Sequence, residues 1–515
     1  MIRKRLALLV GCLLIPALPS VAQSPGLAFA NRIGGTSDDR SKSIALDSLG
    51  NIYTAGSFKS TVDFDPGPGV FNMTGTSPNV DAFVSKSDNS GNFIWAKHFA
   101  SPLSYFVTEE LVIDASDNVI VCGRFQGTSD FDPGAGTFNL TAVGSDDGYV
   151  MKLDSSGNLV WARQLTGSGD AHAWSVAVDP AGNVYSTGYF NGTVDFDPGA
   201  PTVNLTSTFN DVFVSKLDSS GNFVWVRQLI GTFSHDIGSA ITTDASGNVF
   251  TTGYFFGTMD FDPGAGTTNL TSAGAEDIFV WKLDTAGNLV WARGMGGSGD
   301  DRSWGITLDS AGNVLTTGQK SGSADFDPGA GTFNLASGAD IFVSKLNSLG
   351  NFVWAKQVGD IAGTNAGNAI AVDASDDVFV TGNFSGTGDF DPGAGTHTLS
   401  GSGLGDMFAT KLDAAGNFVW AFKVDSANYD SGSDIAVDTS NQYYIAGYFS
   451  DTVDIDPTIL TFNLTSNGTE DSFVAKFDPT IVPSVPAAQV YGLAAMVLSI
   501  CVVFVAWRRH AKSAR

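Results

Sequence analysis

Residues 239–293 read "SAITTDASGNVFTTGYFFGTMDFDPGAGTTNLTSAGAEDIFVWKLDTAGNLVWAR". Four stretches of this segment, "AITTD", "NVFTTGYF", "DIFVWKLD" and "NLVWAR", are rich in branched and aromatic residues and have the length of strands. The tight turns "ASGN" and "TAGN" join the first pair and the last pair as hairpins. The strands are apolar on both faces, as expected of a sheet sandwiched between neighbours. Near-copies fill the chain. The first Asp of a D-x-D-P phrase falls at 63, 130, 195, 260, 325, 389 and 454, a step of 64 to 67 residues. A fixed period of this kind, with four strands per unit, predicts an all-β, seven-bladed β-propeller of four-stranded blades.

The two ends of the array predict how it closes. The phrase N-x-x-W centres on Trp95, Trp161, Trp225, Trp291, Trp354 and Trp420, six copies against seven D-x-D-P phrases. The seventh unit stops at "DSFVAKFD" (471–478) without its last strand. The stretch "LAFANRIGGTSDDRS" (27–41) aligns without a gap on "LVWARGMGGSGDDRS" (289–303), setting Phe29 at the place of Trp291. The N-terminal strand is therefore expected to complete the last blade, which removes free sheet edges.

Composition narrows the function. There are 53 acidic residues against 27 basic ones, a net charge of −26, and only four of the acids are glutamate (Glu109, Glu110, Glu276 and Glu470). The other 49 are aspartates, which with 61 glycines suit tight turns. So acidic a surface repels phosphate backbones, excluding nucleic acid as a partner and favouring cations or basic surfaces. Residues 1–22 have a basic start, an apolar run and a small-x-small ending, the layout of a signal peptide. A Pro/Ala linker (479–489) leads from the propeller body (23–478) to an uncharged stretch (490–507), read as a transmembrane helix, and a basic cytoplasmic tail (508–515). The expected protein is single-pass, with a monomeric propeller held outside the membrane at the cell surface. Of three cysteines, Cys12 and Cys501 fall in these end segments and only Cys122 in the body, so no internal disulfide is expected.

Assembled from the units, the hairpin phrase "DIFVSKLDSSGNFVWARQLGGSGDD…IAVDASGNVYTTG" resembles the bacterial SBBP repeat, named for the seven-bladed β-propeller. The resemblance spans roughly residues 27–478. It implies the propeller fold and an exported bacterial or archaeal protein, and it brings no catalytic residues to carry over.

Two readings of the D-x-D-P phrase stand side by side. Alternate residues of an extended chain point the same way, so Asp63 with Asp65 could converge on a calcium ion. The same holds for Asp130 with Asp132, Asp195 with Asp197, Asp260 with Asp262, Asp325 with Asp327, Asp389 with Asp391, and Asp454 with Asp456. A third carboxylate would come from the Asp before the third strand, at 81, 147, 211, 277, 340, 406 or 471. In the other reading the aspartates accept backbone N–H bonds and shape a turn without metal. The "NLT" sequons share one place in each unit and read as strand-packing elements, and the N-x-x-W tryptophans as packing between blades.

No serine-nucleophile turn, paired-histidine metal motif or phosphate loop is present. His172 and His235 occupy neighbouring inter-blade loops and are read as surface residues. An enzyme should break the repeat with a few odd charged residues near the axis, and the units look close to equivalent. The function expected is a cell-surface binding or adhesion module for a protein or polysaccharide partner. The alternative is a polysaccharide-acting hydrolase or lyase.

Overall fold

A computed structural model describes residues 24–481, apart from 77–79, 101–104, 200, 232–234, 337 and 360–364. The expected signal peptide, the transmembrane stretch, the tail and all but the first three residues of the linker lie outside the described residues. The described residues form strands, turns and bends, and none of them is helical. Among them, no helix is long and apolar enough to cross a membrane.

The strands of the quoted unit are Ile237–Thr243, Val249–Asp260, Asn269–Leu283 and Leu289–Gly297, hydrogen-bonded in that order and antiparallel throughout. Six further four-stranded sheets repeat this order, starting at Arg40, Phe106, Ala171, Arg302, Ala366 and Ser431. The last of these has only three strands in sequence, Ser431–Val437, Tyr443–Phe449 and Asp471–Asp478. Its fourth is Gly26–Ile33, which pairs antiparallel with Asp471–Asp478. The expected closing strand is therefore in place. It is held by charge as well as by backbone bonds, since Arg32 donates to the buried Asp471 at 2.5 Å.

Each first strand packs against the first strands of the two sheets beside it, and Ser431–Val437 returns to Arg40–Leu46, so the contacts run round without a break. Apolar side chains fill the gaps between sheets: one cluster joins Tyr53 and Val84 of one sheet to Phe106, Val121 and Met151 of the next. Because the strands alternate in direction, the two short turns of each sheet lie at one end and the two long connections at the other.

The short turns follow one hydrogen-bond plan. Asp284 Oδ1 accepts the N–H groups of Ala286 and Asn288 at 2.9 and 2.8 Å, and Oδ2 accepts the Asn288 amide at 2.9 Å. Gly287 follows with φ +78°, a conformation glycine adopts at no steric cost. The turn is also a dock. Trp291 Nε1 donates to the Ser348 carbonyl at 3.2 Å and Arg293 Nε to the Gly350 carbonyl at 2.7 Å, both in the next sheet. A Cβ on Gly350 would come within 3.0 Å of the Trp291 ring. The tryptophans thus pack between sheets as expected. Phe29 takes the same place at the seam, against Gly91, while Asn31 replaces the arginine and donates to the Gly91 carbonyl at 2.7 Å.

Candidate functional site

The D-x-D-P phrases sit at the long-loop end, each at the tip of a small two-stranded arm between the second and third strands. In the arm Thr128–Asp130 paired with Asn139–Thr141, Asp130 Oδ1 accepts the N–H groups of Asp132 at 3.0 Å and Phe138 at 2.8 Å. Asp132 Oδ1 accepts the Gly134 N–H at 2.8 Å, and a Cβ on Gly136 would lie 2.1 Å from its Oδ2. Asp63, Asp195, Asp260, Asp325, Asp389 and Asp454 repeat the first pair of bonds. Asp65, Asp197, Asp262, Asp327, Asp391 and Asp456 repeat the second. The residue between the acids is an anchor: Phe64, Phe131, Phe196, Phe261, Phe326, Phe390 and Ile455 are all buried, Phe131 against Phe106, Phe125 and Tyr149.

At five seams the arm also pairs with the exit of the preceding sheet's outer strand, as Thr166 does with Asp195 and Gly296 with Asp325. The sequons form the second strand of the arm, and their threonines bond across it, as Thr128 to Thr141 at 2.9 Å. The phrase thus carries a satisfied turn, a buried plug and an inter-sheet clasp.

The seven Asp residues before the third strand turn elsewhere. All are buried, and their partners are loop amides and residues of the outer or second strand. Asp81 meets His98 at 2.8 Å, Asp211 the Gln228 amide at 2.7 Å, and Asp340 the fully buried Lys320 at 3.1 Å. Among the described residues, no group of three or more His, Cys, Asp or Glu side chains is placed to hold a metal ion. Of the two histidines only His235 is at the surface as expected, 3.9 Å from Glu276; His172 is instead buried in the first strand of its sheet, its Nε2 2.9 Å from Asp146.

The axis is different. Every first strand carries one β-bulge at the same place, and the unpaired residue is Lys42, Glu109, Trp174, Ser239, Trp304, Asn368 or Ser433. All seven line one axial cavity of about 160 Å³. They also border a wider vestibule of about 300 Å³, bounded further by Asn383, Tyr429, Ser431 and Tyr448 at the long-loop end. A bulge re-aims a side chain and frees it from cross-strand pairing. Seven equivalent bulges therefore deliver seven side chains to one small space, and their chemistry is unequal.

One wall is aromatic. The Trp174 and Trp304 rings lie 6.4 Å apart at 22°, stacked across the sheet whose own bulged residue is the small Ser239. The Trp174 Nε1 is buried without a partner. The other wall holds Asn368, Ser433 and the Lys42–Glu109 pair at 3.6 Å.

At four of the seven bulges the residue that follows stitches neighbouring sheets, while Ala240, Gly305 and Ala369 follow the other three. Asp434 Oδ2 accepts the Ile44 N–H at 2.8 Å, Ser43 Oγ the Leu111 N–H at 3.2 Å, Glu110 Oε2 the Val176 N–H at 2.8 Å, and Ser175 Oγ the Ile241 N–H at 3.0 Å. Burial pushes the Glu110 carboxyl up to about 8 and that of Asp434 up to about 6.

The sequence carried a signal for this site. Its four glutamates are rare departures in an aspartate-rich repeat: two line the cavity and two hold arginines that lie over aromatic rings near it. Glu109 and Glu110 line the cavity. Glu470 receives Arg40, which lies 4.7 Å over the Tyr448 ring at the vestibule. Glu276 receives Arg302, which lies 5.2 Å over Tyr254, itself edge-on to Trp304 at 5.6 Å. The expectation of near-equivalent units with nothing odd near the axis is thus corrected: the units diverge there.

The pattern of the beta-propeller repeat SBBP matches residues 29–57, 160–194 and 224–254. The chain carries SBBP beta-propeller repeats. Each matched segment starts in an outer strand, crosses the seam and ends in the second strand of the next sheet, so the SBBP unit straddles a seam and stops where the arm begins. An uncharacterized WD repeat-containing protein of Acanthamoeba polyphaga mimivirus is 24% identical, over 84% of this chain and 36% of that protein. The SBBP-repeat chain thus spans about a third of that relative's length.

Among solved structures, Sqt1 from Chaetomium thermophilum is similar with a TM-score of 0.38 and 11% identity, covering 87% of this chain and 85% of its own. A protein of unknown function from Bacteroides caccae has a TM-score of 0.22 and 10% identity, covering 59% and 93%.

Proposed function

We propose that the seven sheets are the blades of one closed propeller that acts as a membrane-anchored, extracytoplasmic binding module, its ligand entering the axial vestibule from the long-loop end. The observation that carries this reading is the set of seven bulged residues. A scaffold alone needs no Trp, Lys or Glu at a position that pairs with nothing, and binding groups belong on rigid frames. Placement outside the membrane rests on the sequence of residues 1–22 and 490–507. Calcium at the D-x-D-P turns would stiffen the frame, remote from the ligand.

The test is the full chain on arrays of glycans and peptides, beside Trp174→Ala. A retained ligand whose binding Trp174→Ala abolishes supports the axial site, and ligands bound equally by both proteins overturn it. Protease treatment of intact cells should shave the propeller if it is displayed at the surface.

The polysaccharide-acting alternative has one observation in its favour, the proton that burial holds on Glu110 near neutrality at the cavity wall. Against it, Glu110 Oε2 is tied into the wall by the Val176 N–H. Release of reducing ends from a bound glycan, lost in Glu110→Gln, would make this an enzyme.

A further inference from the structure

We infer that the axial vestibule takes the end of a neutral saccharide chain, with one pyranose ring laid against the Trp174–Trp304 wall. The inference rests on the axial binding reading above and adds the chemistry of the ligand. Four features converge on it.

The two indoles stack at 22° with centroids 6.4 Å apart and both line the cavity and the vestibule, so the stack borders that space with an apolar ring face. Their separation is too small to admit a ring between them, so a ligand lies on the wall rather than inside it. A pyranose has such a face, made of C–H bonds, whereas its edge carries hydroxyls. Across the cavity stand groups that answer hydroxyls: Asn368 Oδ1, whose Nδ2 donates to Ser431 Oγ and the Gly432 carbonyl at 3.0 and 2.9 Å, the Ser433 and Ser239 hydroxyls, and the Lys42–Glu109 pair offering donor and acceptor side by side. The buried Trp174 Nε1 has no acceptor in the protein, and a ring hydroxyl would supply one.

Charge decides between saccharide classes. A net charge of −26 repels uronates, sulfated sugars and phosphates. Inside the cavity Lys42 stands beside Glu109, and the Glu110 and Asp434 carboxyls accept the Val176 and Ile44 N–H groups, so each acid is already engaged, which disfavours an amine-bearing ligand. A neutral polyol satisfies both conditions. The cavity deepens to the bulges and widens toward the loops, which fits a chain end entering axially.

The experiment is titration of the full chain, followed by tryptophan fluorescence and calorimetry. The probes are neutral oligosaccharides of several linkages, oligouronates, amino-sugar oligomers and a lysine-rich peptide. Saturable binding of a neutral oligosaccharide is expected, weakened at least tenfold by Trp304→Ala, largely kept by Trp304→Phe and unchanged by Asp130→Asn in an arm. A melting curve like that of the parent protein shows that Trp304→Ala is folded, and Trp304→Phe keeps the test valid if it is not. If only a charged sugar or the peptide binds, and Trp304→Ala abolishes that binding, the saccharide inference falls while the axial site stands. If no probe binds in a way that depends on Trp174 or Trp304, both fall.

Discussion

Rim and axis both repeat seven times, and they treat their residues in opposite ways. In the arms the residue between the two aspartates is Phe in six units and Ile455 in the seventh, always buried, and each aspartate makes the same backbone bonds. At the axial bulges the residue is Lys, Glu, Trp, Ser, Trp, Asn and Ser. The difference follows from what each place constrains. An arm residue has a fixed cavity to fill and fixed amides to satisfy, so change is costly. A bulged residue has no cross-strand partner and faces open space, so it can change without loss of the frame. Repetition therefore marks what holds the ring together, and departure from it marks where the frame leaves a side chain free to differ.

The largest effect that tests this contrast belongs to the arms. Phe131→Ala empties a plug packed by three aromatic rings and should cost about 3–5 kcal/mol in chemical denaturation, the range for large-to-small changes in cores. Phe131→Ile copies the natural Ile455 and should cost less than about 1.5 kcal/mol. Equal losses from the two would mean that the arm is held by its turn and not by its plug. Next in size is Asp130→Ala, which removes the acceptor of one partly buried and one exposed amide and should cost about 0.5–1.5 kcal/mol. On the turn reading a chelator leaves the melting temperature of the parent protein unchanged. A drop of several degrees with chelator would give the turns a metal-binding role.

The ring, the four-stranded units and the strand supplied from the N-terminal side were legible in the sequence because each follows from period and count. The gap at the end of the array and the surplus phrase at its start name the same missing strand. The arm was legible as a turn, but its second duty was not: that Phe131 is a core residue depends on the arm folding back over Phe106 and Tyr149, a tertiary fact with no local mark. The axial site was hidden for a related reason. One bulged residue in a unit of some 65 scarcely disturbs the similarity between units. Only the bulge register shows that Lys42, Trp174 and Trp304 share a position. Scarce glutamate, and Trp174 and Trp304 standing outside the N-x-x-W phrase, were the visible traces.

Acidity separates the seams from the short hairpin turns. Burial pushes the carboxyls of Asp39, Asp236 and Asp277 up to about 7 and those of Asp301, Asp430 and Asp434 up to about 6, all on loops or strands at the seams. In the unfolded chain the same groups titrate near about 4. The folded ring therefore holds more protons between these values. Its stability from them is complete below about pH 4 and is lost as pH rises through about 6 to 7. The hairpin aspartates act in the opposite sense: burial pushes Asp154, Asp284 and Asp413 up slightly, but amide hydrogen bonds outweigh it and hold them below their usual value. Their contribution is present above about pH 4 and lost as pH falls below it. The melting temperature should accordingly peak in mildly acidic solution, between about pH 4 and 6, and decline toward pH 8. Asp430→Asn should flatten the alkaline limb. A melting temperature that rises steadily from pH 5 to pH 8 would contradict the protonated seams.

The smallest effect on stability is expected at the axis. Trp174→Ala forfeits one stacked contact, about 0.5–1.5 kcal/mol, and enlarges a space that is already open. Lys42→Ala should change stability by no more than about 0.5 kcal/mol, since its side chain fills no closed core, whereas Asn368→Ala loses two bonds to Ser431 and Gly432 and should cost about 0.5–1.5 kcal/mol. Replacing all seven bulged residues by serine, the residue already present at Ser239 and Ser433, would make the ring uniform at its centre. If the axis is where this protein meets its ligand, the uniform ring should melt within a few degrees of its parent and bind nothing in the vestibule. If instead it fails to fold, the bulged side chains belong to the frame, and the division between rim and axis does not hold.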